Sequence, residues 1–104
     1  MAFHVTHRYG NMEGDPPLSS LPALLAELRA DVEDREHMDV SVTHESEWCL
    51  ATGGNGKVWF ENLEQGEPRH LRGVEDARLL ELWAALARGD LARLEREPWQ
   101  PGYG

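Results

Sequence analysis

The sequence predicts an α+β domain in which two or three helices pack on one face of an antiparallel sheet of four to five strands. Three observations predict this fold. Apolar and polar residues alternate with a period of two in residues 3–6 and 38–43, as in strands with one wet face. Leucines recur at helical spacing within residues 21–32 and 79–87. A Gly-Gly-Asn-Gly turn at residues 53–56 joins two further apolar runs, and this order of elements fits an α+β arrangement.

The chain has 104 residues, which predicts one domain spanning residues 1–104. Strands are predicted at residues 3–6, 38–43, 48–51 and 58–60, with a short edge strand at residues 70–72. Residues 11–17 are rich in turn formers and predict an exposed loop. The tail at residues 99–104 is predicted to be irregular, but it contains too many aromatic residues to be a loose end.

The first helix is predicted to bury one face, formed by Leu21, Leu24, Leu25, Leu28 and Val32. Ser19 or Ser20 can cap its N-terminus, and it is expected to end within residues 31–36. A second helix is predicted where Leu79, Leu80, Trp83, Leu86 and Ala87 recur at helical spacing, and Gly89 stands where a C-terminal cap is expected. Asp90 then starts a short helix over residues 91–95.

Charge is distributed unevenly along the chain. Acidic residues outnumber basic ones 19 to 10, which gives a net charge of −9. Up to Pro68 there are 13 acids and 4 bases, whereas from Arg69 onward there are 6 of each, so the first part carries −9 and the second part zero. An anionic front of this kind favours a cationic partner and would repel nucleic acid and anionic membranes. The simpler interpretation is that the charge serves solubility.

Motifs for catalysis, cofactors or metals are lacking in the sequence. The single cysteine, Cys49, lies in an apolar strand and is interpreted as a small buried hydrophobe. The five histidines have no metal-ligand spacing, and the glycine-rich turn lacks the pattern of a phosphate-binding loop. We therefore expect no enzyme activity, no catalytic residue, no cofactor and no metal. The N-terminus lacks the apolar block of a signal peptide, which predicts a cytoplasmic protein.

Four tryptophans are many for a chain of 104 residues. Trp48 and Trp83 lie among apolar neighbours, which favours a core role. Trp59 has the opposite parity to Val58 and Phe60, so it is expected to face away from them and to be partly exposed. Trp59 and Trp99 are therefore the candidates for anchors of a protein interface, although packing roles are equally open.

Several segments taken together resemble a known family. They are Glu-Trp-Cys-Leu-Ala at residues 47–51, Val-Trp-Phe-Glu-Asn at 58–62, Leu-Leu-Glu-Leu-Trp at 79–83, Gly-Asp-Leu at 89–91 and Pro-Trp at 98–99. The second half of the chain resembles the immunity proteins of bacterial polymorphic toxin systems, in particular a small α+β family, common in actinobacteria, that accompanies nucleic-acid deaminase toxins. The resemblance implies a non-enzymatic inhibitor that binds a cognate toxin domain and protects the cell that makes the toxin.

The charge pattern fits this expectation, because a toxin that acts on nucleic acid presents a cationic surface to the phosphate backbone. We expect a monomer that forms a one-to-one complex with the toxin domain. The chain lacks the two zinc elements of a deaminase: in place of His-x-Glu it has His44 followed directly by Glu45, and one cysteine cannot form Pro-Cys-x-x-Cys. The residues predicted to bind the partner are Glu33, Asp34, Glu36, Asp39, Glu45, Trp59, Glu61 and Glu64. The alternative is an acidic chaperone or adaptor that holds a secreted effector before export.

Overall fold

The computed structural model describes residues 2–30, 39–53 and 56–103, and it shows an α+β domain with an antiparallel sheet and three α-helices in these ranges. The predicted fold class is thus confirmed. The elements in chain order are β1 (Phe3–Thr6), β2 (Met12–Gly14), α1 (Leu21–Ala30), β3 (Val40–His44), β4 (Trp48–Thr52), β5 (Val58–Asn62), β6 (Arg69–Leu71), α2 (Asp76–Ala87), α3 (Leu91–Glu95) and β7 (Gln100–Pro101).

The sheet contains seven strands within the described ranges, in the order β2-β1-β3-β4-β5-β6-β7, with antiparallel neighbours throughout. The prediction of four to five strands was therefore too low. The two additional strands are the edge strands, β2 in the predicted loop and β7 in the predicted irregular tail. All residues of both are exposed, so neither has the apolar alternation that marks a strand in a sequence. Pro101 is tolerated in β7 because an edge strand needs few backbone donors.

One face of the sheet carries the core. Val42, Leu50 and Phe60 are cross-strand neighbours on β3, β4 and β5, and all three are fully buried. Helix α2 packs on β3 and β4, and the indole nitrogen of its buried Trp83 donates to the carbonyl of Leu50 at 2.9 Å. Helix α1 also contacts β3 and α3 packs on α2, so the helices cover this face as predicted.

The end of α2 has the predicted glycine cap. Gly89 has a φ of +77°, its amide donates to Leu86, and the Asp90 amide donates to Ala85, the two bonds of a Schellman motif. The carboxylate of Asp90 then accepts from the Arg93 amide at 3.2 Å and starts α3, as predicted.

Helix α1 buries the predicted leucines, which are Leu21, Leu24, Leu25 and Leu28. A 3₁₀ turn at Leu18–Ser20 leads into it, where the Ser20 hydroxyl donates to the carbonyl of Pro17 at 2.7 Å. Val32 and the predicted helix end lie outside the described residues. No helix in the described ranges is long and apolar enough to cross a membrane.

Candidate functional site

The second face of the sheet has no described helix packed on it, and we call it the helix-free face. Its side chains follow from strand parity: because Leu50 and Phe60 point toward the helices, Ala51 and Trp59 point the other way. Ala51 lies opposite Trp59, Trp59 lies opposite His70, and Cys49 lies opposite Glu61. The prediction that Trp59 faces away from its neighbours and is partly exposed is confirmed, since it is half-buried.

A groove of about 390 Å³ crosses this face and is lined by Asp39, Ala51, Lys57, Trp59, Glu61 and Tyr103. The small side chain of Ala51 beside the large indole of Trp59 leaves the space on the sheet. Strand β5 and the residue before it supply three lining side chains at alternate positions, Lys57, Trp59 and Glu61. The described lining of the groove therefore combines two aromatic side chains with two acidic groups and one basic group.

A hydrogen bond from its indole N–H group holds the Trp59 ring in place. Its indole nitrogen donates to the main-chain carbonyl of Tyr103 at 2.9 Å, so this donor has a partner within the protein. The Lys57 ammonium nitrogen lies 5.3 Å from the centroid of the indole ring, within the range of a cation–π contact. The ring face thus already accommodates one positive charge.

Glu61 and Tyr103 form a second contact at the groove. The phenol of Tyr103 donates to Oε2 of Glu61 at 2.5 Å. This hydrogen bond is the main cause that raises the pKa of Tyr103 above its ordinary value, so the phenol stays protonated. The bond leaves Oε1 of Glu61 without a hydrogen-bond partner among the described residues.

The C-terminal segment that carries Tyr103 is held by the main chain and by a buried histidine. The amide of Gly102 donates to the carbonyl of Pro68 at 2.9 Å, next to the pairing of β7 with β6. Nδ1 of His70 lies 2.9 Å from the carbonyl oxygen of Gly102, and because a carbonyl only accepts, this nitrogen carries the proton. His70 is buried, so this segment is part of the folded face.

The predicted partner-binding residues fall into three groups. Asp39, Trp59 and Glu61 share the groove. Glu45 and Glu64 are exposed on the turn after β3 and the loop after β5, which are joined by the bond from the Leu63 amide to the carbonyl of Glu47 at 2.9 Å. The remaining three, Glu33, Asp34 and Glu36, lie outside the described residues.

The carboxylates up to Pro68 and those from Arg69 onward differ in whether they pair with arginine or lysine. In the C-terminal part, ion pairs join Glu81 and Glu97 to Arg93 and join Glu95 to Arg69; Glu97 also pairs with Arg78. In residues 39–53 and 56–68, by contrast, six acidic residues form no ion pair with a described arginine or lysine. They are Asp39, Glu45, Glu47, Glu61, Glu64 and Glu67. These six carboxylates are therefore not neutralised by a described arginine or lysine, unlike Glu81, Glu95 and Glu97.

Other acidic residues of the front part are engaged in a cluster that sequence reasoning missed. Nδ1 of His7 lies 2.6 Å from Oε2 of Glu27, and Nε2 lies 3.0 Å from Oε1 of Glu13. Carboxylates only accept, so an imidazolium that donates from both nitrogens satisfies both contacts. The hydrogen bond to Glu27 is the main cause that raises the pKa of His7. The cluster ties β1 and β2 to α1.

The other tryptophans and the cysteine have packing roles. Trp48 and Trp99 both stack on Phe60, with ring centroids 4.6 and 5.0 Å from it, and both are half-buried against the core. The indole of Trp99 donates to the carbonyl of Leu94 at 2.7 Å, so Trp99 packs on the helix side of the sheet. Cys49 is buried as predicted, and burial raises the pKa of its thiol.

Three lining residues of the groove, Ala51, Lys57 and Tyr103, were not among the predicted site residues. Strand parity could have identified Lys57, because it alternates with Trp59 and Glu61. Tyr103 gives no comparable signal, since its position depends on a tail that returns across the sheet. No family model matches the chain, and comparisons with curated proteins and with solved structures gave no match either.

Proposed function

We propose that this chain is a non-enzymatic immunity protein that binds a cognate secreted toxin domain, a nucleic-acid deaminase or nuclease, and blocks access of the substrate. The observation that carries the proposal is the groove on the helix-free face. It unites three residues predicted to bind a partner, Asp39, Trp59 and Glu61, on a part of the surface whose carboxylates have no described arginine partners.

Electrostatics supports this proposal. A toxin domain that acts on nucleic acid needs a cationic surface for the phosphate backbone. Carboxylates on an inhibitor attract that surface over a distance and then exclude the substrate by occupying the same groups. The net charge of −9 is opposite in sign to that of such a surface. Because arginines neutralise Glu81, Glu95 and Glu97, the carboxylates before residue 69 are expected to contribute most of the attraction.

The family resemblance supports the proposal from a second direction. Three of the four tryptophans in the segments that resemble immunity proteins, Trp48, Trp83 and Trp99, have packing roles in this fold. Trp59 differs because it lies on the helix-free face. We would expect this difference between the tryptophans if three of them build a scaffold common to such inhibitors and Trp59 belongs to a separate, variable surface that binds the toxin.

Co-expression with candidate deaminase and nuclease toxin domains tests the proposal. We expect the chain to restore growth of cells that produce its cognate toxin and to form a one-to-one complex with the folded toxin domain in solution. The double variant Asp39→Asn with Glu61→Gln should reduce rescue. The double variant Ala77→Lys with Ala92→Lys changes the net charge by the same +2 on exposed helix positions and serves as the control.

Two results would contradict the proposal. The first is failure to rescue growth with every toxin domain of the panel, including any that is encoded beside this chain. The second is a dimeric chain that binds only unfolded segments of the effector, which would favour the chaperone or adaptor instead.

A further inference from the structure

Strand β5 and the residue before it present a cation, an aromatic ring and an anion in line on the helix-free face. Lys57, Trp59 and Glu61 occupy alternate positions, so their side chains share one side of the sheet. The indole of Trp59 is held by its bond to the Tyr103 carbonyl and cannot swing freely. A fixed ring with a carboxylate two residues away on the strand is a preformed surface for a flat cationic group.

The two ends of this line differ in what they can still bind. At one end the Lys57 ammonium lies 5.3 Å from the ring centroid of Trp59, with Asp39 lining the groove on the same side. At the other end Glu61 accepts one hydrogen bond from Tyr103 through Oε2, and Oε1 is available to a donor. The formal charges of the described lining residues sum to −1, from two acids and one base.

We infer that the groove binds one arginine side chain of the partner, with its guanidinium stacked on Trp59 and donating to Glu61. This inference rests on the proposed function, because it names the group of the toxin that the groove would hold. Arginine fits better than lysine, since its planar guanidinium stacks on an indole and donates to a carboxylate at the same time. Lys57 then acts as a competing cation, whose charge limits how tightly the partner's arginine binds.

The test uses the full chain and N-acetyl-arginine amide as the probe, so it needs no toxin. The indole N–H signal of Trp59, assigned in NMR spectra with the Trp59→Phe variant, reports on the groove. We expect this signal to shift with the arginine probe at millimolar concentration and to stay in place with N-acetyl-citrulline amide, which has a similar shape and no charge. The shift should diminish as salt is added.

Three variants sharpen the test. Glu61→Gln keeps an acceptor for Tyr103 and should weaken binding of the probe about twofold to fivefold, the range of an exposed ion pair. Glu64→Gln removes the same charge outside the groove and should leave binding unchanged. Lys57→Gln removes a like charge beside the Trp59 ring and should tighten binding about threefold, the size expected for two charges several ångströms apart in water.

The inference is overturned if the citrulline probe shifts the Trp59 signal as much as the arginine probe does, or if neither shifts it. It is also overturned if Glu61→Gln and Glu64→Gln bind the arginine probe equally well, or if Lys57→Gln weakens binding. Its failure is separable from that of the proposed function: growth rescue by a chain whose groove ignores arginine refutes only this inference. Arginine binding without rescue by any toxin domain refutes the proposed function.

Discussion

Replacement of His7 by glutamine tests the tie between the first two strands and α1. His7 contacts Glu27 at 2.6 Å and Glu13 at 3.0 Å, with side-chain exposures of 22% for His7, 32% for Glu27 and 53% for Glu13. The contact with Glu27 is the more buried one and is expected to contribute about 1.5 kcal/mol as a charge-assisted hydrogen bond. The contact with Glu13 is exposed and adds roughly 0.2–1 kcal/mol. Glutamine can keep one neutral bond, so the expected net loss is about 1.5 kcal/mol.

The loss of stability caused by His7→Gln should be larger at low pH than at high pH. Because the pKa of His7 is raised in the folded chain, the fold binds this proton more tightly than the unfolded chain does. The stabilisation is fully present below the unfolded value of about 6.5 and is lost as the pH rises through the folded value. For a domain of this size 1.5 kcal/mol corresponds to a fall in Tm of about 6–12 °C.

Thermal unfolding at about pH 5.5 and about pH 9 measures the effect, since the first pH lies below the ordinary pKa of histidine and the second lies well above it. The wild type should exceed His7→Gln clearly at the lower pH and much less at the higher pH. His4→Gln is the matched control, because His4 is half-buried on β1, three residues before His7, and has no carboxylate contact within the described residues. An equal gap at both pH values, or the same pH dependence in His4→Gln, would refute the reasoning.

Three further substitutions test the core, the cap and the arginine network by urea unfolding. Trp83→Phe removes buried volume and the bond to the Leu50 carbonyl, so a loss of about 2–3 kcal/mol is expected, and a loss below about 0.5 kcal/mol would contradict it. Gly89→Ala places a Cβ at a φ of +77° and 3.0 Å from Nε2 of His44, so about 1–2 kcal/mol should be lost; unchanged stability would show that the cap is not required. Glu97→Gln should lower the free energy of unfolding by about 1–3 kcal/mol near neutral pH, because Glu97 pairs with Arg93 and Arg78. Burial alone would raise the pKa of Glu97, but the hydrogen bonds and charges of these two arginines lower it overall. That stabilisation is present above the unfolded pKa and fades as the pH falls through the folded value, and a gap that persists at about pH 2 would contradict the assignment.

Local patterns in the sequence predicted those parts of the fold that local physics determines. The glycine cap at Gly89 and the start of α3 at Asp90 follow from backbone conformation and hydrogen bonding within a few residues. The exposure of Trp59 on the face away from the helices follows from the period of two in a strand. Predictions of this kind need no knowledge of distant residues.

Long-range contacts explain what the sequence could not predict. The edge strands β2 and β7 have no apolar alternation, and pairing with β1 and β6 defines them. His7 and Glu27 are 20 positions apart, and Tyr103 and Glu61 are 42 apart, so no local spacing indicates either contact. The groove was predictable in part, because charge density and parity pointed to Asp39, Trp59 and Glu61 but not to the tail that closes one side.

We propose that the acidic residues of the first 68 positions, with Asp39 and Glu61 in the groove, bind a cationic surface of the toxin domain. The most direct measurement is the rate of association with the cognate toxin domain from about 50 to about 500 mM salt, a range over which the Debye length shrinks severalfold. The wild type should associate more slowly as salt rises. The variant with Asp39→Asn and Glu61→Gln should associate more slowly at low salt and depend less on salt, whereas the control with Ala77→Lys and Ala92→Lys should stay near the wild type. A wild-type rate that is unchanged across this range, or equal effects of the two double variants, would contradict the account.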